Sequence, residues 1–168
     1  MTGPCTTRRT GFTLAESLLA AVVLVTAITA ITLPFAAGAR AEQTDARMCL
    51  AVNLAQEMME EILSKPFSDP QGASVPGPEI GETRRSRFDN VDDYHGYTEA
   101  IGQIAAASGA IIRTPASVGL ARSVTAEYVY VSGQTPWVDP PTFVRVRVRV
   151  TYKGAKMTEL TRLVYKMP

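Results

Sequence analysis

The chain has 168 residues, with 17 Lys and Arg against 16 Asp and Glu, and 46% hydrophobic residues. So even a balance argues against an electrostatic nucleic-acid binder, and the length sets a single domain as the prior. Two cysteines (Cys5, Cys49) cannot build a disulfide scaffold, and the lone His95 cannot form a histidine metal cluster within one chain. No G-x-S-x-G, Walker loop, dinucleotide fingerprint or paired-cysteine metal spacing occurs, so neither an enzyme nor a cofactor is expected.

The amino terminus is a short polar stretch carrying Arg8 and Arg9, followed by Gly11-Phe12-Thr13-Leu14-Ala15-Glu16-Ser17. From Ser17 to Ala39 there are 23 residues without a charge. Leu18 to Ala37 alone is long enough to cross a bilayer, which takes about 20 residues. A carboxylate at the head of such a segment is costly in lipid and needs a partner. Were the chain cut between Gly11 and Phe12, the new amine would lie four residues before Glu16, on the same face of the first helical turn.

These residues carry a resemblance. Gly11-Phe12-Thr13-Leu14-Ala15-Glu16 resembles the cleavage and assembly motif of type IV prepilins and of type II secretion pseudopilins. The resemblance implies a leader over 1–11, cleavage after Gly11 by prepilin peptidase, and methylation of the Phe12 amine. It also implies that Glu16 neutralises the amino terminus of a neighbouring subunit during assembly. The implied location is the inner membrane, single-pass, with the head in the periplasm. The implied partners are the lipid bilayer, other pilin or pseudopilin subunits and the inner-membrane assembly platform. Removing Arg8 and Arg9 from the 17 basic residues leaves 15 against 16 acids, a balance of −1. Cys5 would leave with the leader, so Cys49 could form no intramolecular disulfide. Many major pilins close a C-terminal loop with one, and the departure favours a minor pilin or pseudopilin.

Three other export readings compete. Ala37-Gly38-Ala39 has the look of a secretory cleavage site, but the apolar run far exceeds a signal peptide's 7–15 residues. Thr7-Arg8-Arg9-Thr10-Gly11-Phe12 is similar to a twin-arginine signal with its aromatic one place late. An uncleaved signal anchor, held by Arg8 and Arg9 under the positive-inside rule, would tether a periplasmic enzyme or binding module.

A long helix is predicted over 12–65, about 12–37 of it transmembrane; its 54 residues would reach roughly 80 Å at about 1.5 Å each. Pro34, at the depth where pilins carry a helix-breaking proline, predicts a kink or local unwinding, with Gly38 adding slack. Thr26, Thr29 and Thr32 either let helices of different subunits approach closely or bond back to their own helix. Farther on, Ala51, Leu54, Ala55, Met58 and Ile62 follow the i, i+3, i+4, i+7 rule of an amphipathic helix laid on a sheet. Met48, Met58 and Met59 read as core filler and Cys49 as a small core or interface residue. Glu57, Glu60 and Glu61 read as the solvated face, with Glu61 paired to Lys65. Pro66 ends the helix. The Ala55–Leu63 run also resembles the corresponding helix of minor pilins.

Residues 66–168 form the predicted head. Pro66, Pro70, Pro76 and Pro78 with Gly72, Gly77 and Gly81 mark 66–83 as a loop. Asp89, Asp92 and Asp93 are candidate ligands of a loose calcium site. An EF-hand fails, because Val91 and Tyr94 occupy the third and sixth places counted from Asp89. The alternative is a turn capped by its own Asp and Asn side chains. The Phe88–Gly96 run resembles a segment of minor pilins of the mannose-sensitive haemagglutinin type, without implying a chemistry. Residues 98–122 show no clear period. Antiparallel strands are predicted near 123–131, 143–153 and 157–167, with a hairpin turn at Lys153-Gly154. Val144, Val146, Val148 and Val150 point inward. Arg145, Arg147 and Arg149 form an outer stripe that Glu127 and Glu159 can pair across strands. Without a net positive charge, that stripe does not suggest nucleic acid. The expected fold class is α+β: a long N-terminal helix packed on a small antiparallel sheet, as in pilins.

Overall fold

A computed structural model describes residues 11–67, 76–136 and 138–165. The first element is a 50-residue helix, α1, Leu14–Leu63. Four strands follow: β1, Thr98–Glu99; β2, Leu120–Val129; β3, Phe143–Tyr152; and β4, Ala155–Tyr165. They form one antiparallel sheet in the order β1-β2-β3-β4, so the layout is α+β. Contacts divide the chain into a unit up to Gln43 and a unit from Thr44 onward.

In the first unit every described side chain from Gly11 to Gln43 is exposed. α1 runs unbroken through Pro34 and Gly38, so the unwinding expected there does not occur. Proline removes one backbone donor, and the turns on either side keep the helix together. Thr26, Thr29 and Thr32 each donate to a carbonyl three or four residues back, with Thr26 Oγ1 2.8 Å from Val23 O. The hydroxyls are therefore satisfied within their own helix.

In the second unit the periodicity becomes packing. Ala51, Leu54, Ala55, Met58 and Ile62 are all buried, against Val124 and Ala126 of β2 and Val144, Val146, Val148 and Val150 of β3. Each large apolar side chain buried this way contributes about 1.5–3 kcal/mol. β2 pairs with β3 through Val124↔Val148 and Ala126↔Val146, which puts both sets on one face. The β3–β4 turn has only Lys153 and Gly154, both at positive φ, as a tight primed hairpin turn requires. On the outer face Arg149 Nε lies 2.6 Å from Glu159, while Arg145 and Arg147 stand 3.9 and 4.0 Å from Glu127 and Glu159.

Several expectations need correction. β2 begins at Leu120, not Ser123, and β1 adds a two-residue edge strand within the stretch that showed no period. Met48 and Cys49 lie outside the core, exposed, because the buried stripe of α1 starts at Ala51; for Cys49 this removes the core reading and leaves the interface one. Glu61 is not on the solvated face and does not pair with Lys65. It binds the Arg85 guanidinium through both oxygens and accepts from Tyr94 Oη at 2.8 Å, while Lys65 Nζ donates to Phe88 O at 2.6 Å.

The strand shift exposes the main surprise of the core. Arg122 follows Leu120 by two places and so points inward with Val124, and it is wholly buried. Its donors are matched: Nε to Glu99 Oε2 at 2.7 Å, and the terminal nitrogens to Leu54 O and Ala105 O, each at 2.8 Å. Glu99 also accepts from Arg85 at 3.3 Å and Tyr97 Oη at 2.9 Å. Two guanidiniums and two carboxylates thus tie α1, β1, β2 and the 98–112 loop together with no net charge. Burial pulls the Arg85 guanidinium down, but Glu61 and Glu99 override this and hold it above its ordinary value. Burial acts to raise Glu61, yet hydrogen bonds from Arg85 and Tyr94 hold it below the usual carboxylate range. The Tyr97 hydroxyl is pushed up to about 12, by burial first and then by Glu99.

Candidate processing and assembly segment

Gly11, Phe12 and Thr13 precede the first turn of α1, and Phe12 is 90% exposed. Thr13 is the residue before the helix and Glu16 its third residue, the spacing of a capping box. The contacts are reciprocal. Glu16 N donates to Thr13 Oγ1 at 3.3 Å, and Thr13 N donates to Glu16 Oε2 at 2.8 Å. Thr13 Oγ1 donates to the same oxygen at 2.9 Å. The sequence reading did not use Thr13, although T-x-x-E before an apolar run is a visible helix-start signal. Glu16 therefore has a local partner in its own chain, while its carboxylate stays at the surface of the helix.

From Ser17 to Ala39 the first unit offers an uncharged, mostly apolar surface. Leu18, Leu19, Val22, Val23, Leu24, Val25, Ile28 and Ile31 are each more than half exposed. α1 is long and apolar enough to cross a membrane, and among the described residues nothing covers its first half. A helix hydrophobic all round needs lipid or other protein about it.

The acidic turn behaves as a capped turn. Asn90 Oδ1 accepts from the amides of Asp92 and Asp93 at 2.9 and 3.1 Å, and Asp93 Oδ2 from those of Asp89 and Asn90 at 2.7 and 3.0 Å. Tyr128 Oη donates to Asp92 Oδ2 at 2.9 Å, aiming that carboxylate at β2. The Asp92 and Asp93 carboxylates thus have separate tasks, one accepting from Tyr128 and the other capping the turn. His95 Nδ1 lies 2.6 Å from Ala126 O, so the ring serves as a tether between this turn and the sheet.

Comparison with known proteins found no matching family model, no matching curated protein and no matching solved structure.

Proposed function

We propose that the chain is a minor pilin or pseudopilin, a structural subunit of a type IV pilus or a type II secretion pseudopilus. Prepilin peptidase cuts after Gly11, the Phe12 amine is methylated, and the apolar half of α1 stays in the inner membrane with the head in the periplasm. The observation that carries this reading is a Gly-Phe-Thr-Leu-Ala-Glu motif placed at the very start of a helix whose next 23 residues from Ser17 lack charge. The amine created by cleavage and the Glu16 carboxylate are each costly in lipid, and pairing them between subunits removes both penalties and sets the axial register. The assembly platform supplies the site where subunits meet, and the protein itself performs no catalysis.

The Thr13–Glu16 capping box favours a second reading, in which Glu16 only starts the helix. The chain would then keep Met1 and act as a signal-anchored periplasmic enzyme or binding module. Mass spectrometry of the native protein separates the two: a methylated Phe12 terminus supports the pilin reading, and an intact leader overturns it. Glu16→Gln then tests the role of the charge, because glutamine keeps the capping box. A processed, membrane-resident variant that fails to enter fibres supports charge pairing. Normal incorporation shows that the cap alone is needed.

A further inference from the structure

The second unit is a helix laid on a sheet, and the outward sides of these two layers carry opposite charge. Its charges balance overall: setting aside Arg8, Arg9, Arg40, Glu16 and Glu42 leaves 14 cations and 14 anions from Thr44 onward. α1 buries one stripe against the sheet, so Asp45, Cys49, Asn53, Gln56 and Glu60 are exposed on its other side. The Asp45 and Glu60 carboxylates make no ion pair among the described residues. Glu57 adjoins Glu60, its carboxylate accepting from Ala107 N at 2.6 Å. No cation shares this side, because Arg47, the one basic residue of α1 in the unit, stacks over the Tyr152 ring at 4.2 Å. The outer face of the sheet has the opposite sign. Arg145, Arg147 and Arg149 of β3 stand there with Lys156 of β4, the register partner of Thr151. Against these the strands offer only Glu127 and Glu159, the latter shared by Arg147 and Arg149.

The two patterns also match in length. Asp45 and Glu60 are separated along α1 by about 22 Å, at about 1.5 Å per residue. Arg145 and the Thr151–Lys156 rung are separated along β3 by roughly 20 Å, at about 3.3 Å per residue. Each pattern has an exposed leucine at one end: Leu63, one turn past Glu60, and Leu163, the register partner of Arg145. We propose that the second units of two copies stack head to tail, the acidic side of α1 in one copy lying on the outer sheet face of the next. Glu60 meets Arg145 and Asp45 meets Lys156, with Leu63 on Leu163 at the Glu60 end. Helix on helix would set acid against acid, and sheet on sheet cation against cation. The contact therefore joins two different surfaces and leaves each end of a pair free to add another copy. The charges fix register and choice of partner, while the leucine contact buries apolar surface. The inference concerns the second unit alone and does not depend on the pilin reading.

The test is oxidative cross-linking of the full-length chain in detergent, in a Cys5→Ser background. Cys49 is exposed on the acidic side of α1, about 6 Å along the helix from Asp45. Ser123→Cys marks the outer sheet face opposite Arg149, about 7 Å from the Thr151 rung. One chain keeps Cys49, and the other carries Cys49→Ser with Ser123→Cys. Mixing them should give the mixed disulfide dimer in excess of either self-linked dimer. Glu60→Lys in the first chain, or Arg145→Glu in the second, should lower its yield about tenfold, since a favourable pair becomes a like-charge clash. Both changes together should restore it, because the pair is rebuilt with its signs exchanged. Predominance of Cys49–Cys49 dimers puts helix on helix and overturns the proposal, as does absence of the mixed dimer. A mixed dimer indifferent to both charge changes places the association in the apolar half of α1, and overturns it too. If a charge variant does not fold, the unaltered pair of chains decides: the mixed dimer should fall as added sodium chloride screens the contact, and a yield independent of salt refutes it.

Discussion

Replacing Arg122 by methionine keeps most of the side-chain volume and removes the charge at the centre of the head. Glu99 would lose the 2.7 Å bond to Nε, and Leu54 O and Ala105 O would each lose a donor at 2.8 Å. Arg85 and Tyr97 still reach Glu99, at 3.3 and 2.9 Å, so its charge is only partly compensated. Breaking a buried pair by removing one partner costs about 3–5 kcal/mol. That is a large share of the roughly 5–15 kcal/mol that holds a domain folded. The assay is urea unfolding of the full chain in detergent, followed by near-ultraviolet circular dichroism of the tyrosines, two of which, Tyr94 and Tyr97, contact the network. The double variant Arg122→Met/Glu99→Gln removes the uncompensated carboxylate and should recover part of the loss, with a coupling of about 0.5–3 kcal/mol. A loss of under about 1 kcal/mol in the single variant, or a double variant equal to the sum of the two singles, refutes the account of Arg122 as a paired, buried charge.

Three other outcomes follow from the same head. Glu61 is held below its ordinary value of 4.5, so its contribution is fully present above that pH and is lost as pH falls through the lower folded value. Urea midpoints between pH 5 and 3 should therefore fall more steeply for the wild-type chain than for Glu61→Gln, and parallel slopes would remove Glu61 from the acid response. Gly119 has φ +85°, and a Cβ there would sit 2.6 Å from Tyr152 Cε2. Gly119→Ala should cost about 1–3 kcal/mol from the backbone strain alone, read as a lowered urea midpoint. Met58 is fully buried whereas Leu24 is 61% exposed. Met58→Ala should destabilise the head by about 2–5 kcal/mol, and Leu24→Ala should leave the same unfolding curve unmoved.

The α+β layout was legible because two periodicities are written directly in the chain. Ala51, Leu54, Ala55, Met58 and Ile62 repeat at the spacing of a helix face, and Val144 to Val150 at the spacing of a strand face. The start of α1 could be read for the same local reason, because the capping box joining Thr13 to Glu16 spans three residues. Reading the strand from Ser123 cut Arg122 out of an alternation that would have turned it inward with Leu120 and Val124.

Periodicity tells which side of its own element a residue faces, and that much the sequence determined by itself: the long helix, the buried valine face and the outer arginine stripe. Which distant charge waits on that side is a matter of tertiary structure. Glu61 meets Arg85 across 24 positions, and Arg122 meets Leu54 across 68. A charged side chain reads as surface in any local pattern, because burying it is unfavourable until its partners arrive, and those partners come from elements whose spacing along the chain carries no record of their meeting.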